Sequence, residues 1–145
     1  MARVKIDLPD KRLCEIPLNI RITDLNYGNH VGNDAVVSIL HEARVQLLNL
    51  GGFTELSVGG CGLIMADLTV EYIRELFYGD KLIISIACGE ISRIGFELFY
   101  EIKAMRDDMT FTAAKAKTGM VCYDYLEKRV ARVPDDFITF LQEKT

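Results

Sequence analysis

Arg21-Ile22-Thr23-Asp24-Leu25-Asn26-Tyr27-Gly28-Asn29-His30-Val31-Gly32-Asn33-Asp34 is the stretch on which the reading of this chain turns. Its fourteen residues hold two Asp, three Asn, two Gly and the first of only two histidines in the sequence. A run this polar builds little core and costs conformational entropy to order. It stands between a segment that alternates like a strand and one with helical spacing. It therefore delivers polar groups to a helix N-terminus, where exposed amides attract negative charge. That position suits a site better than a plain connection.

Upstream, residues 13–23 predict a strand, with Ile16, Leu18, Ile20 and Ile22 on one face and Glu15, Asn19 and Arg21 opposite. Pro17 lacks a ladder donor and puts this strand at a sheet edge. Residues 1–12, mixed and polar with Pro9, read as a loose or edge segment. Downstream, Val36, Leu40, Ala43 and Leu47, widened by Ile39 and Leu48, form the stripe of a helix over 34–49. Asn33 or Asp34 is the expected N-cap, and Gly51-Gly52 ends the helix.

Beyond a glycine-rich loop at 53–61, four alternating stretches at 62–74, 81–91, 95–106 and 110–124 predict an antiparallel meander. In the first, Ile64, Ala66, Leu68, Val70 and Tyr72 share a face. A short helix is expected at 135–143, after Pro134. With no internal repeat or linker, residues 1–145 are expected to form one domain. One helix covers one face of such a sheet, so a second copy of the chain is the expected cover for the rest.

The formal charge of −4, with Lys and Arg scattered, gives no electrostatic footprint for nucleic acid. No run of apolar residues is long enough for a membrane span, and the N-terminal residues lack the apolar core of a signal peptide. Cys14, Cys61, Cys88 and Cys122 show neither a CxxC pair nor metal-ligand spacing. They read as structural thiols of a cytoplasmic protein without a metal site.

The run from Asp24 to Asn33, continuing to His41-Glu42-Ala43-Arg44, resembles without a gap the signature D-x-D-x-x-G-H-V-N-N followed by E-x-A-R. That signature belongs to acyl-CoA thioesterases similar to 4-hydroxybenzoyl-CoA thioesterase. Further on, Asp67 to Ile73 and Tyr78-Gly79-Asp80-Lys81-Leu82 are similar to the family's strand, its Y-x-R-P turn and its G-D-x-L hairpin. Ile91 to Phe96 resembles the Gly/Arg/Ser segment that opens the next strand.

The resemblance implies an α+β hot-dog fold, in which about five antiparallel strands wrap one long helix and a short helix ends the chain. It also implies a homodimer or homotetramer hydrolysing an acyl-CoA or acyl-carrier-protein thioester. No cofactor is implied beyond the coenzyme A carried in by the substrate. At two chemical positions this chain departs from the signature, with Asn26 for the catalytic Asp and His41 for the helix Glu. An amide is neither nucleophile nor base at neutral pH.

The expected catalytic set is therefore Asp24 or His30 activating water, Asn26 orienting it, and the helix start at Asn33 polarising the carbonyl. Tyr27, Gly32, His41, Glu42, Ser92 and Arg93 are the expected substrate-binding residues, the last two toward the coenzyme A phosphates. Arg44 is expected to partner a carboxylate. Two other readings stand beside this one. The first is a non-hydrolytic thioester-binding protein, from the loss of Asp at position 26. The second is a hydratase or dehydratase of the same fold, which needs His41 and the partner's Glu42 to converge.

Overall fold

Side chains that alternate between apolar and polar make one wall of a sheet apolar, and the one long apolar helix packs against that wall. The computed structural model describes residues 3–143. It runs β1 (Cys14–Asn19), a 3-10 turn (Ile22–Asp24), α1 (Asn33–Leu50), β2 (Gly62–Tyr72), β3 (Lys81–Ile91), β4 (Gly95–Arg106), β5 (Met109–Asp124), β6 (Arg129–Val130) and α2 (Asp135–Gln142). All pairing is antiparallel, in the order β1-β3-β4-β5-β2, with the two-residue β6 against β5. This is the expected α+β hot-dog architecture.

Only β3, β4 and β5 form a meander; β2 lies beyond β5 and ends the sheet, not beside β3 as the order of stretches suggested. The tight turns at 92–94 and 107–108 hold β3, β4 and β5 together, whereas residues 73–80 carry the chain across the sheet end from β2 to β3. Asp107 and Asp108 both take positive φ, 50° and 61°, as a two-residue hairpin turn demands.

α1 buries Val36, Ile39, Leu40, Ala43, Leu47 and Leu48, the stripe read from the sequence. Facing it are Leu82, Ile84 and Ile86 of β3, Leu98, Tyr100 and Ile102 of β4, and Ala114, Ala116 and Met120 of β5. Phe137 of α2 closes the C-terminal end of α1 through edge-to-face contacts with Phe53 and Phe96. No helix among the described residues is long and apolar enough to cross a membrane.

Three expectations need correction. β1 stops at Asn19 and the chain turns at 22–24, so Ile22 is exposed instead of continuing the apolar face. A bulge between Met65 and Asp67 puts Ile64 opposite Val121, on the outer face, while Leu63 and Leu68 face inward. The N-terminal segment is no loose edge, since it crosses the back of the sheet. The Ile6 N–H donates to Glu71 at 2.9 Å, Arg12 reaches Glu101 at 3.5 Å, and Lys11 bonds the Gln142 carbonyl. Under this strap Ser85, Ala87 and Glu101 point outward yet are buried.

Candidate active site

The loop from Leu25 to Gly32 is a small hairpin. Leu25 bridges Val31, the Asn26 N–H donates to the His30 carbonyl at 2.9 Å, and the Asn29 N–H donates to Asn26 O at 3.1 Å. Asn29 takes φ 65°, the left-handed conformation that short polar side chains tolerate. Asn26 turns its amide oxygen back to the Gly28 N–H at 2.8 Å, an Asx turn. A Cβ on Gly28 would lie 3.3 Å from both that oxygen and His30 Nε2, so Asn26 and the His30 ring flank this glycine together. Tyr27 is fully exposed at the tip.

Asp24 does not join them. Its carboxylate is buried and accepts the Arg21 N–H at 2.8 Å, with the Arg21 guanidinium at 3.7 Å, which caps the 3-10 turn. It lines a separate cleft of about 330 Å³ on the flank of α1, shared with Ser38, His41 and Glu42.

α1 begins at Asn33 with Gly32 as N-cap, and neither Asn33 nor Asp34 caps it, contrary to expectation. Among the described residues no acceptor meets the amides of Asn33, Asp34 and Ala35. The first-turn N–H groups are therefore free to bind an anionic oxygen, with the helix dipole behind them. The Tyr72 hydroxyl donates to the Asn33 carbonyl at 3.0 Å and ties this helix end to β2. Burial, with Asp34 nearby, raises the Tyr72 pKa above its ordinary value, so the hydroxyl keeps its proton.

Asn33 and His30 share one cleft of about 260 Å³, walled by Val36, Ile73, Leu76, Ala113 and Ala114 and rimmed by Tyr72, Arg74 and Glu75. His30 packs edge-on against Phe77, with ring centroids 6.4 Å apart at 82°. Its Nδ1 lies 3.4 Å from the Val31 carbonyl and its Nε2 lies 3.9 Å from Glu75 Oε1. Tyr72 and Glu75 were missed from the sequence, because only the crossing of residues 73–80 over the sheet end brings them to the loop.

The remaining expected binding residues lie elsewhere. His41 Nε2 is 2.6 Å from Glu55 Oε1, and Glu55 Oε2 accepts from Arg44 Nε at 2.9 Å. Arg44 is buried and also donates to the Tyr100 hydroxyl, which meets Thr118 at 2.7 Å. Glu42 accepts from Gln46 on the helix surface. Ser92 and Arg93 occupy the β3–β4 turn, where Ser92 Oγ takes the Gly95 N–H at 3.1 Å. Along β2 that turn lies level with Ile64 and the His30 cleft with Tyr72, roughly 25 Å apart within one chain.

Residues 20–141 match the profile of the thioesterase-like superfamily. A 1,4-dihydroxy-2-naphthoyl-CoA hydrolase of Nostoc punctiforme is 29% identical over 129 residues, 85% of this chain and 82% of that one. Among solved structures, a 1,4-dihydroxy-2-naphthoyl-CoA thioesterase from Synechocystis superposes with a TM-score of 0.77 at 21% identity, covering 88% of this chain and 93% of that one. The 4-hydroxybenzoyl-CoA thioesterase of Pseudomonas sp. strain CBS-3 gives a TM-score of 0.79 at 17% identity, covering 90% and 99%.

Proposed function

This chain belongs to the thioesterase-like superfamily, and from that membership we propose that it hydrolyses an acyl-CoA thioester in the cleft between His30 and the start of α1. One observation carries the reading: α1 starts, with its first-turn amides uncapped, at Asn33, which lines an apolar-walled cleft that also holds a histidine. The thioester carbonyl oxygen, which turns anionic as water adds, is stabilised by those amides. His30 serves as the base that takes the water's proton, at a position its half-buried ring can reach. Asn26 fixes the loop that aims His30, through its bond to the Gly28 N–H.

The active unit in this proposal is a dimer in the cytoplasm. β2 ends the sheet with a free edge and carries exposed Ile64 and Met65, a surface that invites strand pairing. Antiparallel pairing of two β2 edges about a two-fold axis brings the partner's β3–β4 turn to the same end as His30. Ser92 and Arg93 thus reach the coenzyme A of a substrate bound next door, although they lie far from His30 in their own chain. An acyl-carrier protein presents the same pantetheine thioester and is the alternative carrier.

Thiol release from benzoyl-CoA, acetyl-CoA and hexanoyl-CoA tests the reading. Turnover of at least one, lowered about 10²-fold in His30→Ala, is the expected result; no turnover of any by the wild type overturns it for these acyl groups. The binding-protein reading draws on the Asn26 amide oxygen, which accepts the Gly28 N–H, and the lack of a carboxylate there. It expects Asn26→Asp to create an activity the wild type lacks.

A further inference from the structure

Resting on that thioester-hydrolysis reading, we infer that Glu75 supplies the carboxylate of this site: His30 Nε2 and Glu75 Oε1 together hold the attacking water. Glu75 is the one carboxylate among the residues that wall or rim the cleft. Asp24, the carboxylate that the sequence placed nearest, is spent on the 3-10 turn and faces the other flank of α1. The chain thus lacks a carboxylate at Asn26 and has one facing the same histidine from the opposite loop.

The two loops are locked to each other by backbone. His30 bridges Phe77, and the Val31 N–H donates to the Leu76 carbonyl at 2.8 Å. The second loop is in turn pinned by Asp80, whose Oδ2 accepts the Phe77 N–H at 2.8 Å while Arg106 holds the carboxylate through both oxygens. The backbones of the two loops are therefore fixed against each other, and from that frame the exposed Glu75 side chain places Oε1 3.9 Å from His30 Nε2. Arg74 does not compete for Glu75, since its guanidinium lies over the Phe111 ring at 4.1 Å. His30 is the one basic side chain within 4.0 Å of the Glu75 carboxylate among the described residues.

The chemistry follows from the spacing. In the tautomer that directs Nδ1–H at the Val31 carbonyl, 3.4 Å away, Nε2 carries the lone pair and accepts. Two acceptors 3.9 Å apart can each take one hydrogen of the same water: at hydrogen-bond lengths of about 2.8 Å the angle at its oxygen is roughly 90°, close to that between its O–H bonds. One O–H bond breaks, its proton passing to Nε2 and its electron pair forming the bond to the thioester carbon. The Glu75 carboxylate keeps the second hydrogen and stabilises the imidazolium. As the tetrahedral centre collapses the C–S bond breaks; sulfur leaves with the electron pair and takes the proton back from His30. A carboxylic acid and a thiol are released, and both side chains return to their starting state.

Glu75 is an exposed surface carboxylate, so its variants are expected to fold, and a thermal melt checks this. With benzoyl-CoA or whichever acyl-CoA above is turned over, Glu75→Gln is expected to lower kcat roughly 10²-fold at unchanged KM. Glu75→Asp recovers part of the loss. In a His30→Ala background Glu75→Gln costs nothing further, because the pair acts as a unit. A loss under about threefold, or losses that multiply in the double variant, overturns the inference. If no acyl-CoA is turned over, the hydrolysis reading falls, and the pair is judged by the ring nitrogen resonances of His30, assigned with His41→Gln. Displacement of those resonances by Glu75→Gln keeps the pair; unmoved resonances remove it.

Discussion

Asn29 sits at φ 65° between the Asn26 turn and His30. Replacing it by Val puts a β-branched residue in the left-handed region, at a cost of about 1–2 kcal/mol, whereas Gly fits without strain. Asn29→Val should lower the urea midpoint and kcat together, and Asn29→Gly should leave both near wild type. Asp24 and His30 separate cleanly at this scale. Asp24→Asn weakens the buried cap on the Arg21 N–H and should lower the melting temperature while leaving kcat within a few-fold. His30→Ala should reverse the pattern, losing about 10² in kcat with little change in melting. The sequence displayed every one of these side chains. It did not display their directions, because a backbone that turns at 22–24 and again at 26–29 sends adjacent polar groups to opposite flanks of α1.

At the scale of elements, α1 is fastened to the sheet and to the 53–61 loop by one buried cation. Arg44 reaches Tyr100 on β4 and Glu55 in the loop, and Tyr100 passes the link to Thr118 on β5. Glu55→Leu would strand the buried guanidinium and should cost about 3 kcal/mol, read from urea melts. Burial pushes the Glu55 pKa up, but hydrogen bonds from His41 and Arg44 outweigh it and hold the carboxyl below its ordinary 4.5. A group whose folded pKa is the lower one stabilises fully above the unfolded pKa and loses that contribution as pH falls through the folded value. Stability should therefore decline below about pH 4.5, and Glu55→Gln should make that decline shallower in melts taken down to about pH 3. The partnership of Arg44 with a carboxylate was legible from a cation on the apolar stripe; that Glu55 is the carboxylate was not. The bulge in β2 was equally hidden, since clean alternation from Ile64 to Tyr72 gives no sign of an inserted residue.

Over the whole molecule, the back of the sheet is covered and the β2 edge is open. The back is crossed by the chain's own strap, where buried Ile6 anchors residues 3–12. Removing residues 1–12 should cost at least about 2 kcal/mol, from Ile6 and the surface it shields, while the His30 cleft keeps its shape. The free edge of β2 is where the proposed second copy would pair. Sedimentation should show a dimer, and Met65→Lys should release monomers that have lost turnover; monomers in the wild type would sink the shared-cleft proposal.

Sequence alone determined the helix stripe, the strands of the meander, the α+β class and the polar turn that feeds a helix start. Each of these is written in periodicities of a few residues, which neighbours along the chain enforce. Only the tertiary structure decided that β2 lies beyond β5, that the strap covers the back, that Asp24 and His30 part company, and that Glu75 faces His30. Those outcomes depend on groups dozens of residues apart meeting across the end of a sheet, and no local pattern encodes which loop the fold will lay against which.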